Sequence, residues 1–158
     1  AVSAAADIRA AQKSGVMVAT AESCTGGLVS AALTAIAGSS AVLDRGFVTY
    51  SNEAKIDLLG VTPELLTEYG AVSEPVARAM ALGAVARSRG AASVSITGVA
   101  GPGGGTVAKP VGLVHFAAVD PGGTVVHVER RFGDIGRDAV RLESVRVALD
   151  LLLQAVTA

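Results

Sequence analysis

The sequence predicts an α/β domain: a single mixed β-sheet covered by α-helices. Three observations carry that reading. Helical and strand-like segments alternate from the N-terminus to Thr97, the order expected of strands joined by covering helices. Two alternating segments, Val111 to Val119 and Thr124 to Phe132, then flank Asp120-Pro121-Gly122-Gly123, which reads as an antiparallel hairpin and makes the sheet mixed. Finally, 51% of the chain is apolar but only 3% is aromatic, with no tryptophan, so the core is built from Ala, Val, Leu and Ile. At 158 residues, one domain with a sizeable core is expected over residues 1–158, and no repeat, low-complexity tract or domain boundary is visible.

Each element has its own signal. Residues from about Val2 to Ser14 show helical spacing, and Gly15 is a natural stop. Val16-Met17-Val18-Ala19 reads as a short buried strand, followed by a polar turn from Thr20 to Gly27 and an apolar helix from Leu28 to about Ala37, before Gly38. Gly46 to Tyr50 is a second strand. Ser51 caps a helix over Asn52–Leu59 that closes at Gly60, and Thr62-Pro63-Glu64 starts another that ends near Tyr69. Ser73-Glu74-Pro75 opens a long alanine-rich helix to about Arg89. Ala92 to Thr97 is a third strand, leading into the glycine-dense loop from Gly98 to Thr106. After the hairpin, a last helix runs from about Gly136 to Ala155, with Val140, Val147, Leu151 and Val156 on its apolar side.

Composition removes several function classes. A net charge of -1 with mixed signs gives no electrostatic case for binding nucleic acid. One cysteine excludes an internal disulfide framework, and no Cys/His spacing suits zinc, so no metal and no cofactor are expected. No apolar run is long enough to span a membrane, and the N-terminus lacks a signal-peptide pattern, so a cytoplasmic protein is expected.

Three loops follow strands: Ser23 to Gly27, Tyr50 to Lys55, and Thr97 to Thr106. If those strands are parallel neighbours, the loops face one cleft, because ligands in open α/β sheets bind beyond strand C-termini. Ser23 is the leading nucleophile candidate, with a helix cap as the competing role. A serine hydroxyl needs a base, and His115 and His127 both lie in the hairpin segments rather than in these loops. Lysine serves as base when burial lowers its pKa, and Lys55 is the natural choice; its other reading is a solvated helix residue. Tyr50 is either a proton relay or an amphipathic edge residue. Cys24 is a second nucleophile candidate or a small buried side chain. The loop with Gly98, Gly101, Gly103, Gly104 and Gly105 lacks the Walker and dinucleotide patterns, but its backbone can approach an anion closely, with Thr97 and Thr106 as hydroxyl donors. Lys109 and Arg137 add positive charge.

At these residues the sequence resembles the CinA C-terminal domain family, the nicotinamide-nucleotide amidases. The matching stretches are Thr20 to Gly27, Val48 to Lys55, Tyr69 to Ser73, Thr97 to Gly104 and Lys109 to Gly112, in order and across nearly the whole chain. The resemblance implies hydrolysis of the carboxamide of nicotinamide mononucleotide, by a serine/lysine mechanism that transfers to Ser23 and Lys55 with Tyr50 beside them. It implies a stand-alone amidase form with a small-molecule nucleotide as substrate; a homo-oligomer is also expected. The expected substrate-binding set is Thr25 and Gly26 in the turn, Thr97, Gly98, Gly101, Gly103, Gly104 and Thr106 in the glycine loop, and Arg137. Oxyanion donors are expected at the start of the helix after Ser23 or in the glycine loop. Relatives show Gly-Asp-Arg before the final helix, whereas here Ile135-Gly136 separates Gly133-Asp134 from Arg137. The competing function is a non-catalytic nucleotide-binding regulatory module.

Overall fold

The structure is a computed structural model that describes residues 3–158, so the expected helix start at Val2 lies outside the described residues. Five strands form one sheet in the order β2-β1-β3-β4-β5: β1 Val18–Glu22, β2 Leu43–Val48, β3 Ala92–Gly98, β4 Leu113–Val119 and β5 Val125–Arg131. β1 runs parallel to both β2 and β3, while β4 and β5 are antiparallel additions. Six helices cover the sheet: α1 Ala4–Ser14, α2 Leu28–Thr34, α3 Asn52–Leu59, α4 Pro63–Tyr69, α5 Glu74–Ala86 and α6 Arg137–Val156. The mixed α/β architecture matches the expectation from sequence.

Alternation along the strands divides the core in two. Val18, Val94, Ile96, Val114 and Phe116 pack with α1, α2 and α6. On the opposite face Ala19 and Ala21 meet Leu59, Leu66, Val76 and Met80 of α3, α4 and α5. That second face is lined with small residues. Ser93 and Ser95 of β3 donate to the carbonyls of Ala81 and Ala77 on α5, at 2.7 and 2.6 Å. Alanine and serine let α5 lie close to the sheet, which is how the chain makes a dense core with so few aromatics.

Helix caps fall where the sequence places them. The hydroxyls of Ser51, Thr62 and Ser73 accept N–H bonds at the starts of α3, α4 and α5, and Gly15 and Gly60 close α1 and α3 in left-handed conformation. Strand boundaries differ more. β1 is shifted from the expected Val16–Ala19 and runs through Thr20 to Glu22, because its polar side chains are buried against α2. The Thr20 and Ser30 hydroxyls share a 2.6 Å hydrogen bond. The carboxylate of Glu22 accepts from the Thr25 hydroxyl at 2.6 Å, the Val29 N–H at 2.9 Å and the Ser30 N–H at 3.1 Å. β2 begins and ends earlier than the expected Gly46–Tyr50 and carries Gly46 opposite Thr20. A Cβ at Gly46 would sit 2.2 Å from the Ser30 hydroxyl oxygen and 2.6 Å from that of Thr20, so glycine leaves room for the hydrogen bond these two share. α2 stops at Thr34 rather than Ala37, and α5 at Ala86 rather than Arg89.

The parallel order β2-β1-β3 sets the C-terminal ends of these three strands side by side, and Glu22 ties the first of them to α2. Replacing Glu22 with Ala strands three buried or half-buried donors and should destabilise the fold by about 3 kcal/mol. Chemical denaturation of the variant checks this; a change within about 0.5 kcal/mol would mean these bonds do not hold the turn.

Candidate active site

Ser23 follows directly on the last residue of β1. Its N–H donates to the Ile96 carbonyl of β3 at 3.0 Å, and its own carbonyl accepts from the Gly26 N–H at 3.0 Å, closing a tight turn. Gly26 and Gly27 take left-handed conformations, with φ of 59° and 112°, and lead the chain into α2. Ser23 is therefore not the cap of α2. Gly27 holds that position, and the Val29 and Ser30 N–H groups are already taken by Glu22.

Lys55 reaches the serine from α3. Its side chain is 1% exposed, among the largest fully buried ones in the protein. The Nζ atom lies 2.9 Å from Ser23 Oγ and donates to the carbonyls of Thr49 at 2.7 Å and Tyr50 at 3.4 Å. All three partners are neutral oxygens, so no carboxylate offsets the loss of water around the amine. Burial pulls its pKa down from 10.5 to about 8, against a small opposing effect of Cys24. The solvated reading of Lys55 does not survive, because its buried amine reaches Ser23 and the Thr49 carbonyl beyond the ends of β1 and β2.

The surrounding cleft, of about 190 Å3, is lined by Ser23, Lys55, Tyr50, Thr97, Gly98 and Arg137, with Cys24, Ala71, Val72 and Ala100. Burial pushes the Cys24 thiol up to about 11, with Lys55 and Arg141 offsetting only part, so it stays protonated and a poor nucleophile near neutral pH. Neither histidine is on this wall. His115 Nδ1 and His127 Nε2 meet each other at 2.8 Å between β4 and β5.

Several expected residues are placed otherwise than the sequence implies. The Tyr50 hydroxyl accepts from Arg137 Nη2 at 3.2 Å and Tyr50 sits at the exposed rim; its hydrogen bond with Lys55 is through its backbone carbonyl. Thr25 is fully buried, with its hydroxyl given to Glu22, which leaves its backbone N–H as its free donor. Thr97 lines the cleft, but its hydroxyl donates to the Ala71 carbonyl at 2.9 Å and braces the far wall. Gly103, Gly104 and Thr106 are exposed outside the cleft lining, and Thr106 Oγ1 accepts the Lys109 N–H at 3.0 Å. Gly101 contributes its carbonyl to Arg137 Nη1 at 2.7 Å. Arg137, the first residue of α6, thus reaches the cleft despite the two preceding inserted residues.

The expected oxyanion donors in α2 are also occupied. The Leu28 N–H goes to the Thr25 carbonyl, and Val29 and Ser30 go to Glu22. Among the described residues of the turn, the N–H groups of Cys24, Thr25 and Gly27 have no acceptor; Cys24 is on the cleft wall, as is Ala100 of the glycine loop, whose N–H is also free. Sequence reasoning passed over two supports. Glu22 was hidden because a buried carboxylate in a strand looks like part of a turn. Arg141 lies one helical turn after Arg137, the spacing that puts both on one face of α6. Among the described residues, no group of three or more His, Cys, Asp or Glu side chains is placed to hold a metal. No helix is long and apolar enough to cross a membrane among the described residues.

Comparison with known proteins agrees with this architecture. A nicotinamide-nucleotide amidohydrolase PncC of Escherichia coli K12 is 53% identical over 141 residues, 89% of this chain and 84% of that protein. A CinA-like protein of Anaeromyxobacter sp. strain K is 54% identical over 142 residues, 90% of this chain and 34% of that protein, so the chain spans about a third of that relative's length. The crystal structure of the competence/damage inducible protein CihA from Agrobacterium tumefaciens superposes with a TM-score of 0.95 at 57% identity, covering 98% of this chain and 93% of that one. The family described as CinA C-terminal domain matches residues 3–156, and the chain belongs to it.

Proposed function

We propose that this chain is a nicotinamide-nucleotide amidohydrolase, which hydrolyses the carboxamide of nicotinamide mononucleotide to nicotinic acid mononucleotide and ammonia with Ser23 as nucleophile and Lys55 as base. The observation that carries the mechanism is the 2.9 Å contact between Ser23 Oγ and a fully buried Lys55 amine with no carboxylate partner. The substrate assignment rests on the amidohydrolase relatives that match most of the chain over most of their own length.

Neutral Lys55 takes the Ser23 proton as Oγ forms its bond to the amide carbon. The carbonyl oxygen becomes an oxyanion, for which the Cys24 N–H on the cleft wall, beside Ser23 in the chain, is an unengaged backbone donor. The C–N bond then breaks as the Lys55 ammonium gives its proton to the departing nitrogen, releasing ammonia and leaving an ester on Ser23. Water attacks that ester with Lys55 again as base. Return of the proton to Ser23 Oγ completes the cycle. The Thr49 and Tyr50 carbonyls hold Nζ on the line to Oγ throughout.

Arg137 would receive the substrate phosphate at the rim, with Tyr50 beside it; its hydrogen bond to the Tyr50 hydroxyl supports this reading. Gly98 lines the wall against which the nucleotide would lie, and the outer glycines from Gly101 to Gly104 would act through the position of the loop that Arg137 engages.

Ammonia release from nicotinamide mononucleotide should fall by about 10⁴-fold or more in Ser23→Ala and in Lys55→Met, read by a coupled ammonia assay. Binding of the nucleotide by wild type without turnover would instead favour a regulatory module. Because the base must be neutral, kcat/KM should rise with pH and level off above an apparent pKa of about 8. A flat profile from pH 6 to 9 would remove Lys55 from the role of base.

A further inference from the structure

The turn that carries Ser23 is gripped from its outer side. Arg141 of α6 sends its guanidinium there: Nε donates to the Cys24 carbonyl at 3.1 Å and Nη2 to the Thr25 carbonyl at 3.3 Å. It is not part of the cleft wall; it borders a separate depression with Leu28, Asp138 and Leu142. The fit is close, since a Cβ on Gly26 would lie 3.3 Å from Arg141 Nη2.

In a trans peptide the C=O and N–H are coplanar and point in opposite directions. The Cys24 carbonyl and the Thr25 N–H belong to one peptide unit, so anchoring the carbonyl fixes that N–H facing away from Arg141. The Ser23 carbonyl, held by the Gly26 N–H, fixes the Cys24 N–H in the same manner. With the Gly27 N–H, these are the N–H groups of the turn that no protein acceptor engages among the described residues. A cation at the carbonyl end of a peptide also polarises it and strengthens its N–H as a donor.

We infer that Arg141 is a positioning residue for hydrolysis: by clamping the Cys24 carbonyl from outside the cleft it aims and polarises the Thr25 N–H, and by clamping the Thr25 carbonyl it holds the Gly26 N–H on the Ser23 carbonyl, which turns the Cys24 N–H toward the oxyanion. The inference rests on the amidohydrolase reading above. Its effect is on the charge that develops during reaction, so it acts on kcat and leaves substrate affinity nearly unchanged.

The test is ammonia release from nicotinamide mononucleotide by wild type, Arg141→Ala and Arg141→Lys, each checked for folding by circular dichroism. In Arg141→Ala, kcat should fall by about 10²-fold with KM within about twofold, and guanidinium ion at non-denaturing concentration should restore part of the rate. The rising limb near pH 8 should stay in place, because Lys55 is untouched. Arg141→Lys should be intermediate, since an ammonium cannot fork to two carbonyls as a guanidinium does. If Arg141→Ala does not fold, a kcat loss at unchanged KM in Arg141→Lys supports the inference and an unchanged kcat overturns it. A folded Arg141→Ala with wild-type kcat, or with a loss confined to KM, overturns the positioning role alone. A wild-type protein that releases no ammonia overturns the amidohydrolase reading and the inference with it.

Discussion

Burying the amine of Lys55 against three neutral oxygens is the constraint around which the candidate site is arranged. A fall in pKa from 10.5 to about 8 means that folding disfavours the charged amine by about 3 kcal/mol. The sign follows from proton binding. Between about pH 8 and 10.5 the unfolded chain holds a proton that the folded chain does not, so stability rises with pH across that window. Below it, both states are protonated and the full penalty remains. A chain of ordinary stability tolerates such a penalty only where the surrounding structure is firm, and the two faces of the sheet supply that firmness.

The local supports are graded in chemistry. Glu22 ties the turn to α2 from beneath, the Ile96 carbonyl holds the Ser23 backbone to β3, and the guanidinium of Arg141 meets the turn from outside. The parallel placement of β2, β1 and β3 matters because it sets Thr49 next to Glu22 through a 2.7 Å backbone hydrogen bond. That bond carries the Thr49 carbonyl, and so the Lys55 amine, to the serine. A site assembled from residues 23, 55, 97 and 137 thus depends on strand order more than on any one loop.

Much of the fold was readable because its signals are local. Ser51, Thr62 and Ser73 sit one residue before helices they cap, and Asp120 to Gly123 turns the hairpin. The ends of β1 were not readable, since Thr20 and Glu22 are polar and their burial depends on α2, which packs over them. Ser23 and Lys55 could be paired through the loop-clustering argument and the family resemblance, yet nothing in the spacing of α3 says that Lys55 points inward. The glycine loop was hard to read for a different reason. A Cβ at Gly98 would meet the Leu113 carbonyl at 2.8 Å and one at Gly105 the Val111 N at 2.8 Å, so these glycines allow the loop to pack on the approach to β4. Composition alone cannot separate that need from anion binding.

The most direct measurement of the central claim is the ionisation of Lys55 itself, followed by nitrogen NMR of the Nζ atom in the intact protein with Lys55→Met to assign the signal. The account predicts a midpoint near 8, set by burial beside Ser23. A midpoint near the ordinary lysine value of 10.5 would contradict it, because an amine so fully protonated at neutral pH could not serve as the base for Ser23.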